Sequence, residues 1–241
     1  MTLHKRVLCI AGLGIVLGTS TLPAAEHSAP AILKHAYRYI SSLDRYAFKA
    51  VVMDDIVENG TVTGQYREDV SVKVKRPNDL RVDVKGETKN RSTYLHNGLF
   101  TMIDHGFGYY GQLKLPHKNL DRALDDIFHI YGIKAPLAAL IYSDMDKRSK
   151  FTKSVYFGKR TVGGVVCDYI AFRNRGGEVH VWISRGEKPL VKSFTIIDTT
   201  RKEKPKTTAS IRWNTNPDFT EKDFIFKAPE GSSNISIERA R

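Results

Sequence analysis

The sequence VSVKVKRPNDLRVDV, residues 70–84, contains the clearest structural signal in this chain. Apolar and polar residues alternate on both sides of the turn signal Arg76-Pro77-Asn78. The apolar positions are Val70, Val72, Val74, Leu80, Val82 and Val84. Because successive side chains of a strand point to opposite faces, this alternation predicts two strands that are buried on one face and solvated on the other. Strands of this kind are typical of antiparallel sheets.

Shorter apolar runs of the same kind continue along the rest of the chain. Turn signals such as Asn59-Gly60, Asn97-Gly98 and Gly163-Gly164 separate them. The further predicted strands cover residues 91–96, 99–105, 108–113, 154–160, 165–173, 178–184, 190–198, 207–213 and 223–227. We find no linker rich in proline, glycine or serine and no repeat of fixed period. The sequence therefore predicts a mainly β (α+β) fold with a single large antiparallel sheet.

Helical periodicity appears at the start and in the middle of the sequence. Ser28 is a candidate N-cap, and Pro30 suits the first turn of a helix. The apolar residues that follow at helical spacing are Ile32, Ala36, Ile40 and Leu43. Residues 119–131 (NLDRALDDIFHIY) carry a second apolar stripe that ends before a glycine, and residues 136–142 predict another apolar helix. These two segments form a predicted mid-chain helical pair.

The N-terminus has the pattern of a secretory signal. Lys5 and Arg6 precede an apolar run from Val7 to Gly18, and small residues follow. The run is too short to span a bilayer, and no later segment is apolar for long enough. We expect residues 1–25 to be a signal peptide and residues 26–241 to form one periplasmic domain without a transmembrane segment.

The chain is basic. Lys and Arg number 38 against 26 Asp and Glu, which gives a net charge of +12 over 241 residues. Removal of the signal deletes two cations and no acid and leaves +10. This charge makes an anionic envelope surface a candidate partner. Only Cys167 remains after cleavage, and its apolar neighbours predict a buried thiol without an intrachain disulfide.

Several motifs resemble functional signatures but lack the context that the chemistry needs. The GxGxxG pattern GFGYYG at residues 106–111 is followed by strand-like QLKLP, whereas a dinucleotide site needs a helix there. The histidines form no close ligand pair, and the chain has neither a nucleophile elbow nor a Walker loop. The basic charge also suggests an RNA-recognition module. That module needs a helix between its first two strands, which the spacing of the predicted strands does not allow here. We predict a non-enzymatic protein with no cofactor, no metal and no nucleic-acid partner.

Two segments match motifs of a known family. Lys75-Arg76-Pro77-Asn78 matches a strand ending in K-R-P-N, and His96-Asn97-Gly98-Leu99 approximates a D-G-K-x-L turn. Residues 223–235 (DFIFKAPEGSSNI) are similar to a terminal F-x-F-x-P-x-G motif. All three motifs resemble those of the periplasmic lipoprotein-localisation carriers, the LolA/LolB-like superfamily.

Longer segments resemble a second family. Residues 131–144, 156–172 and 181–192 are similar to an uncharacterised family of predicted periplasmic proteins that is assigned to the same fold. That family usually has a histidine after Cys-Asp, where this chain has Tyr169. The sequence leaves open whether Tyr169 keeps any function that the histidine has in that family.

The resemblance implies an incomplete antiparallel barrel with an apolar concave face. The N-terminal helix and the mid-chain helical pair would cover that face as a lid. In the carriers, the arginine of K-R-P-N hydrogen-bonds lid-helix carbonyls, which gives Arg76 this role by position; a plain contact to a neighbouring loop is the alternative. The candidate lid and cavity residues are Arg76, Leu124, Phe128, Leu137 and Ile141.

Three functions remain open from the sequence. The first is a periplasmic binding protein or carrier for an apolar or acylated ligand, such as a lipid or lipoprotein. The second is an envelope sensor or scaffold that receives a partner protein or glycolipid on its concave face. The third is a hydrolase whose site has no recognisable motif. We favour the first, because a half-barrel covered by helices encloses a cavity lined with apolar side chains.

Overall fold

The computed structural model describes residues 28–133 and 137–240. The predicted signal peptide lies outside these residues, as does the first residue of the second mid-chain helix, Pro136. The strands are β1 (Arg45–Glu58), β2 (Thr61–Lys75), β3 (Asp79–Gly86), β4 (Asn90–His96), β5 (Leu99–Asp104), β6 (Tyr109–Lys114), β7 (Lys153–Val162), β8 (Val165–Arg173), β9 (Gly177–Ser184), β10 (Val191–Asp198), β11 (Lys206–Asn214) and β12 (Ser233–Asn234). The α-helices are α1 (Ala29–Ser41), α2 (Leu120–Tyr131) and α3 (Met145–Arg148).

All the strands of the described residues belong to one sheet. Their order is β12-β6-β5-β4-β3-β2-β1-β11-β10-β9-β8-β7. Neighbours pair antiparallel except β12, which runs parallel to β6. Within the described chain the two outer members, β12 and β7, do not pair with each other, so the sheet stays open. The predicted fold, a large antiparallel sheet forming an incomplete barrel, is confirmed.

The hairpin of β2 and β3 shows why the alternating stretch forms this sheet. Val74 lies opposite Leu80, and Val72 lies opposite Val82. These residues face the hydrophobic core, while the lysines and arginines between them face the outer side. We call the core side of the sheet the inner face. The Asn97-Gly98 turn that joins β4 to β5 has positive φ at both residues, as a tight hairpin requires.

Helix α1 covers the part of the sheet near β7, β8 and β9. Its N-cap is Ser28, whose side chain accepts a hydrogen bond from Ala31 N, as the sequence predicts. The buried stripe consists of Ala29, Leu33, Ala36 and Ile40. It is therefore rotated slightly from the predicted stripe, and Ile32 and Leu43 are only half-buried. No helix of the described residues has the length and hydropathy needed to cross a membrane.

The mid-chain helical pair differs from the prediction in its second member. Helix α2 begins after the N-cap Asn119 and ends at Gly132, which has a left-handed backbone. The predicted second helix is wrong: residues 138–140 form a single 3₁₀ turn, and α3 follows at 145–148. The physical reason is that the carbonyls of Leu140 and Ile141 accept hydrogen bonds from the side chains of Tyr46 and Arg76. These carbonyls are therefore not used in the backbone hydrogen bonds of a longer helix.

The C-terminal segment also differs from the prediction. Residues 223–227 do not form a strand; a 3₁₀ turn at Glu221–Asp223 precedes an extended segment without ladder pairing. The alternation there reflects side-chain packing, because Phe224 is buried and Phe226 contacts the rings of Tyr94 and Tyr110. The chain then pairs with β6 through β12, a strand that the sequence analysis missed.

The end of the chain returns to the inner face. Ile237 packs against the core, and Ala240 N donates to Ile130 O of α2 at 2.9 Å. A Cβ at Gly111 would lie 2.5 Å from Ile237 Cγ1, so any larger residue at this position of β6 would force Ile237 to move. The glycine-rich stretch at residues 106–111 is therefore a hairpin turn followed by a packing site for the C-terminal segment.

Candidate ligand-binding cavity

A cavity of about 410 Å³ lies between the inner face of the sheet and the segments that cover it. The sheet side is formed by strands β1 to β5, and the cover by α2, Ile133 and residues 137–141. The lining residues are Val52, Glu68, Val70, Val72, Leu80, Val82, Val84, Lys89, Arg91, Thr93, Leu95, Phe100, Met102, Leu124, Ile127, Ile133, Leu137 and Ile141. Most of these side chains are apolar, so the cavity suits an apolar ligand.

The polarity of the cavity changes along its length. Strand β4 presents Leu95, Thr93 and Arg91 to the cavity, and these residues pair with the alternate β3 residues Leu80, Val82 and Val84. Leu95 is fully buried, whereas the Arg91 side chain is 46% exposed. We call the end at Glu68, Lys89 and Arg91 the mouth. The apolar end is closed and the mouth is charged.

Three of the predicted cover residues line the cavity. Leu124, Leu137 and Ile141 are buried and form part of its wall. Phe128 is a correction: it is 44% exposed, contacts the ring of His129 and does not line the cavity. Helix α2 turns its residue 127 toward the sheet, and residue 128 lies about 100° away from it around the helix.

Several residues of the wall were not predicted from the sequence. Ile127 lay on the predicted helical stripe but was not selected as a cavity residue, and Ile133 lies beyond the helix. Glu68 and Arg91 face the cavity because they continue the inner-face alternation of β2 and β4. Extending the alternation backwards from Val70 would have pointed to Glu68.

Arg76 joins the end of β2 to the covering segment. Its Nη2 donates to Ile141 O at 2.7 Å and lies 3.3 Å from the hydroxyl of Tyr46. The Tyr46 hydroxyl donates to Leu140 O at 2.7 Å. Arg76 Nη1 also lies 4.0 Å from Asp121 Oδ1 at the start of α2. We call Arg76, Tyr46 and the carbonyls of Leu140 and Ile141 the latch.

Burial favours the neutral form of the latch tyrosine. Tyr46 is fully buried, and this burial raises its pKa above the ordinary value, although the nearby Arg76 partly offsets the effect. The phenol therefore remains a hydrogen-bond donor to Leu140 O. Arg76 Nε is buried and has no hydrogen-bond partner among the described residues, so the guanidinium is held mainly through Nη2.

Acidic residues of α2 hold the rest of the covering segment. Asp121 accepts hydrogen bonds from the backbone and the hydroxyl of Ser143. Asp125 accepts from the Tyr142 hydroxyl at 3.0 Å and from both Nη atoms of Arg148 at 2.8 and 3.0 Å. Burial alone would raise the pKa of Asp125, but these hydrogen bonds outweigh it and hold the pKa below its usual value. Residues 140–148 are thus fixed both to α2 and to the sheet.

The polar cluster at Ser92 does not have the order of a nucleophilic triad. Ser92 Oγ lies 2.6 Å from Asp83 Oδ1 and 2.8 Å from His105 Nε2. In a nucleophilic triad the histidine stands between the serine and the acid, whereas here the serine stands between the other two. No group of three or more His, Cys, Asp or Glu residues suited to a metal occurs within residues 28–133 and 137–240.

Two residues singled out by the sequence lie away from the cavity. Cys167 is fully buried as predicted, and this burial raises the pKa of its thiol. Tyr169 lies on the outer face, where its ring stacks on Trp182 at 4.6 Å and its hydroxyl lies 2.7 Å from His180 Nδ1. Position 169 therefore lies outside the cavity wall.

Solved structures with similar folds have little sequence identity to this chain. An uncharacterised conserved protein from Thermus thermophilus has 11% identity and a TM-score of 0.52, covering 86% of this chain and 98% of that protein. The lipoprotein LppX of Mycobacterium tuberculosis has 11% identity and a TM-score of 0.46, covering 79% and 97%. A LolA superfamily protein from Nitrosomonas europaea has 8% identity and a TM-score of 0.37, covering 83% and 98%.

A family model establishes membership more directly than these structures do. No curated protein matches the sequence. The model described as "Predicted periplasmic protein (DUF2092)" matches residues 29–238, which span every helix and strand described above. The chain therefore belongs to the DUF2092 family of predicted periplasmic proteins.

Proposed function

We propose that this protein is a non-enzymatic periplasmic binding protein or carrier for an apolar or acylated ligand, such as a lipid or lipoprotein. The observation that carries the proposal is the apolar cavity beneath a covering segment held by the latch. The cover meets the sheet through apolar packing and the latch and not through strand pairing, so it can open without disturbing the sheet ladders. Opening gives a ligand a route to the inner face.

The energetics of the cavity favour an acyl chain. Each buried methylene contributes about 0.8 kcal/mol, and most of the lining side chains are apolar. A volume of about 410 Å³ lies near the lower end of the range of small-molecule sites. The closed cavity therefore suits one acyl chain, and a larger ligand requires the cover to move.

The envelope is the proposed place of action. The family is described as periplasmic, and residues 1–25 have the pattern of a secretory signal ahead of a domain at residues 26–241. Mass analysis of the secreted protein should give a mature chain that begins between about residues 20 and 27. A mature chain that starts at Met1 would contradict this location.

An anionic envelope surface is the proposed site of ligand exchange. The net charge of +12, or +10 after signal removal, attracts the protein to anionic lipid or lipopolysaccharide. Phe107, in the turn between β5 and β6, is 77% exposed. This turn follows Asp104, the partner of Arg91 at the mouth, so an exposed aromatic ring lies near the open end of the cavity.

A sensor or scaffold is the second candidate function. The observation that favours it is the edge strand β7, where Val155 and Phe157 are 49% and 43% exposed. A partner protein could bind along this strand while the inner face receives a glycolipid. A deletion strain separates the two candidates: mislocalised envelope lipid favours carriage, and an altered stress response without lipid changes favours sensing.

A substitution that fills the cavity tests the proposed function. Val82 is half-buried and lines the cavity, so Val82→Phe should occupy ligand volume and weaken binding of the neutral fluorophore N-phenyl-1-naphthylamine. Ser71→Phe places the same side chain on the outer face of the neighbouring strand and is the matched control. Equal binding by both variants, with unchanged melting temperatures, would contradict a ligand site in this cavity.

A further inference from the structure

The mouth of the cavity contains the charged residues of its wall. Glu68, Lys89 and Arg91 are the titratable residues among those that line the cavity. The side chains of Lys89 and Arg91 are 45% and 46% exposed, whereas the Glu68 side chain is only 10% exposed. At the opposite end, the Arg76 side chain is 12% exposed. A ligand with a polar head therefore has one orientation in which the head remains solvated.

The charges at the mouth form two ion pairs. Lys89 Nζ lies 2.5 Å from Glu68 Oε1, and Arg91 Nε lies 2.9 Å from Asp104 Oδ2. A cationic head would meet Lys89 and Arg91 and find both carboxylates occupied, which disfavours it. A preference for a negative headgroup therefore depends on the N–H donors that the two cations still have.

The mouth also has hydrogen-bond donors that the described chain does not use. Arg91 contacts Asp104 through Nε at 2.9 Å, and a guanidinium carries four further N–H groups on its Nη atoms. Lys89 uses one of its three donors on Glu68. The hydroxyl of Thr93 has no hydrogen bond within residues 28–133 and 137–240 and lies between the apolar part of β4 and Arg91.

Together these donors suit an acidic headgroup. We propose that the ligand is a single-chain anionic amphiphile, with its acyl chain in the cavity and its carboxylate or phosphate at Lys89, Arg91 and Thr93. The inference rests on the proposed function and makes it more specific. The cavity size limits the ligand to one chain, and the donor set selects the charge of its head.

A competition assay with matched ligands tests this specificity. Palmitate and lysophosphatidate carry anionic heads from two chemical sources, and hexadecanol has the chain length of palmitate with a neutral head. Displacement of N-phenyl-1-naphthylamine should require at least about tenfold less palmitate or lysophosphatidate than hexadecanol, because charge-assisted hydrogen bonds form only with the anions. Tighter binding of palmitate would identify the headgroup as a carboxylate, and tighter binding of lysophosphatidate would identify it as a phosphate.

Variants of the mouth provide the second readout. Arg91→Gln should weaken palmitate binding about tenfold or more and leave hexadecanol binding unchanged. Asp104 keeps the backbone donors of Gly106 and Phe107 in this variant, so the turn retains its support. Thr93→Val is a nearly isosteric second variant. Arg160→Gln, on the exposed part of β7, removes the same charge away from the cavity and is the control.

The outcomes separate this inference from the function on which it rests. Equal binding of palmitate and hexadecanol, or Arg91→Gln behaving like Arg160→Gln, would overturn the anionic headgroup and leave the binding function intact. Failure of every amphiphile to displace the probe would overturn both. Selective loss of anion binding in Arg91→Gln, at an unchanged melting temperature, is the expected result.

Discussion

The latch at Arg76 leads to a quantitative prediction about opening of the cover. Arg76→Leu removes the donor that lies 2.7 Å from Ile141 O and leaves the hydrogen bond from Tyr46 to Leu140 O in place. A hydrogen bond from a charged group contributes about 1.5–3 kcal/mol. In the closed state of the variant, Ile141 O loses this donor, whereas an open cover exposes it to water. The ratio of closed to open protein should therefore fall by about tenfold to a hundredfold.

The assay measures opening and stability on the same variant. Release of a bound fluorescent acyl chain, followed by stopped flow, should accelerate in Arg76→Leu in proportion to the open population. The melting temperature should change little if the cover opens independently of the sheet. Arg212→Leu, an exposed arginine on β11, is the matched control. Unchanged release together with a lower melting temperature would refute the latch and show that Arg76 only supports a loop.

Four further predictions concern other parts of the structure. Gly111→Val should destabilise the protein by about 1–3 kcal/mol in urea unfolding, because its side chain would overlap Ile237, and adding Ile237→Ala should recover part of the loss. The pKa of Asp125 lies below its usual value of 3.8. Its contribution to stability is therefore present above that pH and is lost as the pH falls through the lowered pKa, so Asp125→Asn should flatten the acid side of the melting-temperature profile. Cys167 should react with a thiol reagent slowly in the native protein and fully in guanidinium, and rapid native labelling would contradict its burial. Binding to anionic vesicles should weaken steeply between low and physiological salt, and salt-independent binding would show that the contact is mainly apolar.

Local sequence patterns predict most of the sheet and the first helix. The alternation from Val70 to Val84 identifies β2 and β3 because one face of these strands packs on the core. Ser28 and Gly132 predict helix ends through capping, which depends on neighbouring residues alone. These features are local, so they could be inferred without knowledge of the tertiary structure.

Other features depend on distant contacts and could not be predicted in this way. The residues from Leu137 to Ile141 are apolar enough for a helix, but Tyr46 and Arg76 donate to the carbonyls of the last two and limit the helix to one turn. Phe226 alternates like a strand residue, yet its ring packs on Tyr94 across the sheet.

The candidate site was predicted only in part for the same reason. Leu124 follows from helical periodicity, but the orientation of α2 decides that Ile127 rather than Phe128 faces the cavity. The register between β3 and β4 must be known before Arg91 and its neighbour Lys89 can be placed at the mouth. The sequence shows which residues are polar but not which of them line a cavity.

The most direct test of the account is the identity of molecules bound to the native protein. Lipid extraction and mass spectrometry should be applied to protein purified from the periplasm of its own cells, with Val82→Phe and Ser71→Phe in parallel. The account predicts an acyl-chain ligand in nearly stoichiometric amount on the native protein and on Ser71→Phe, and its loss from Val82→Phe. Equal lipid content in all three proteins, at background level, would contradict it.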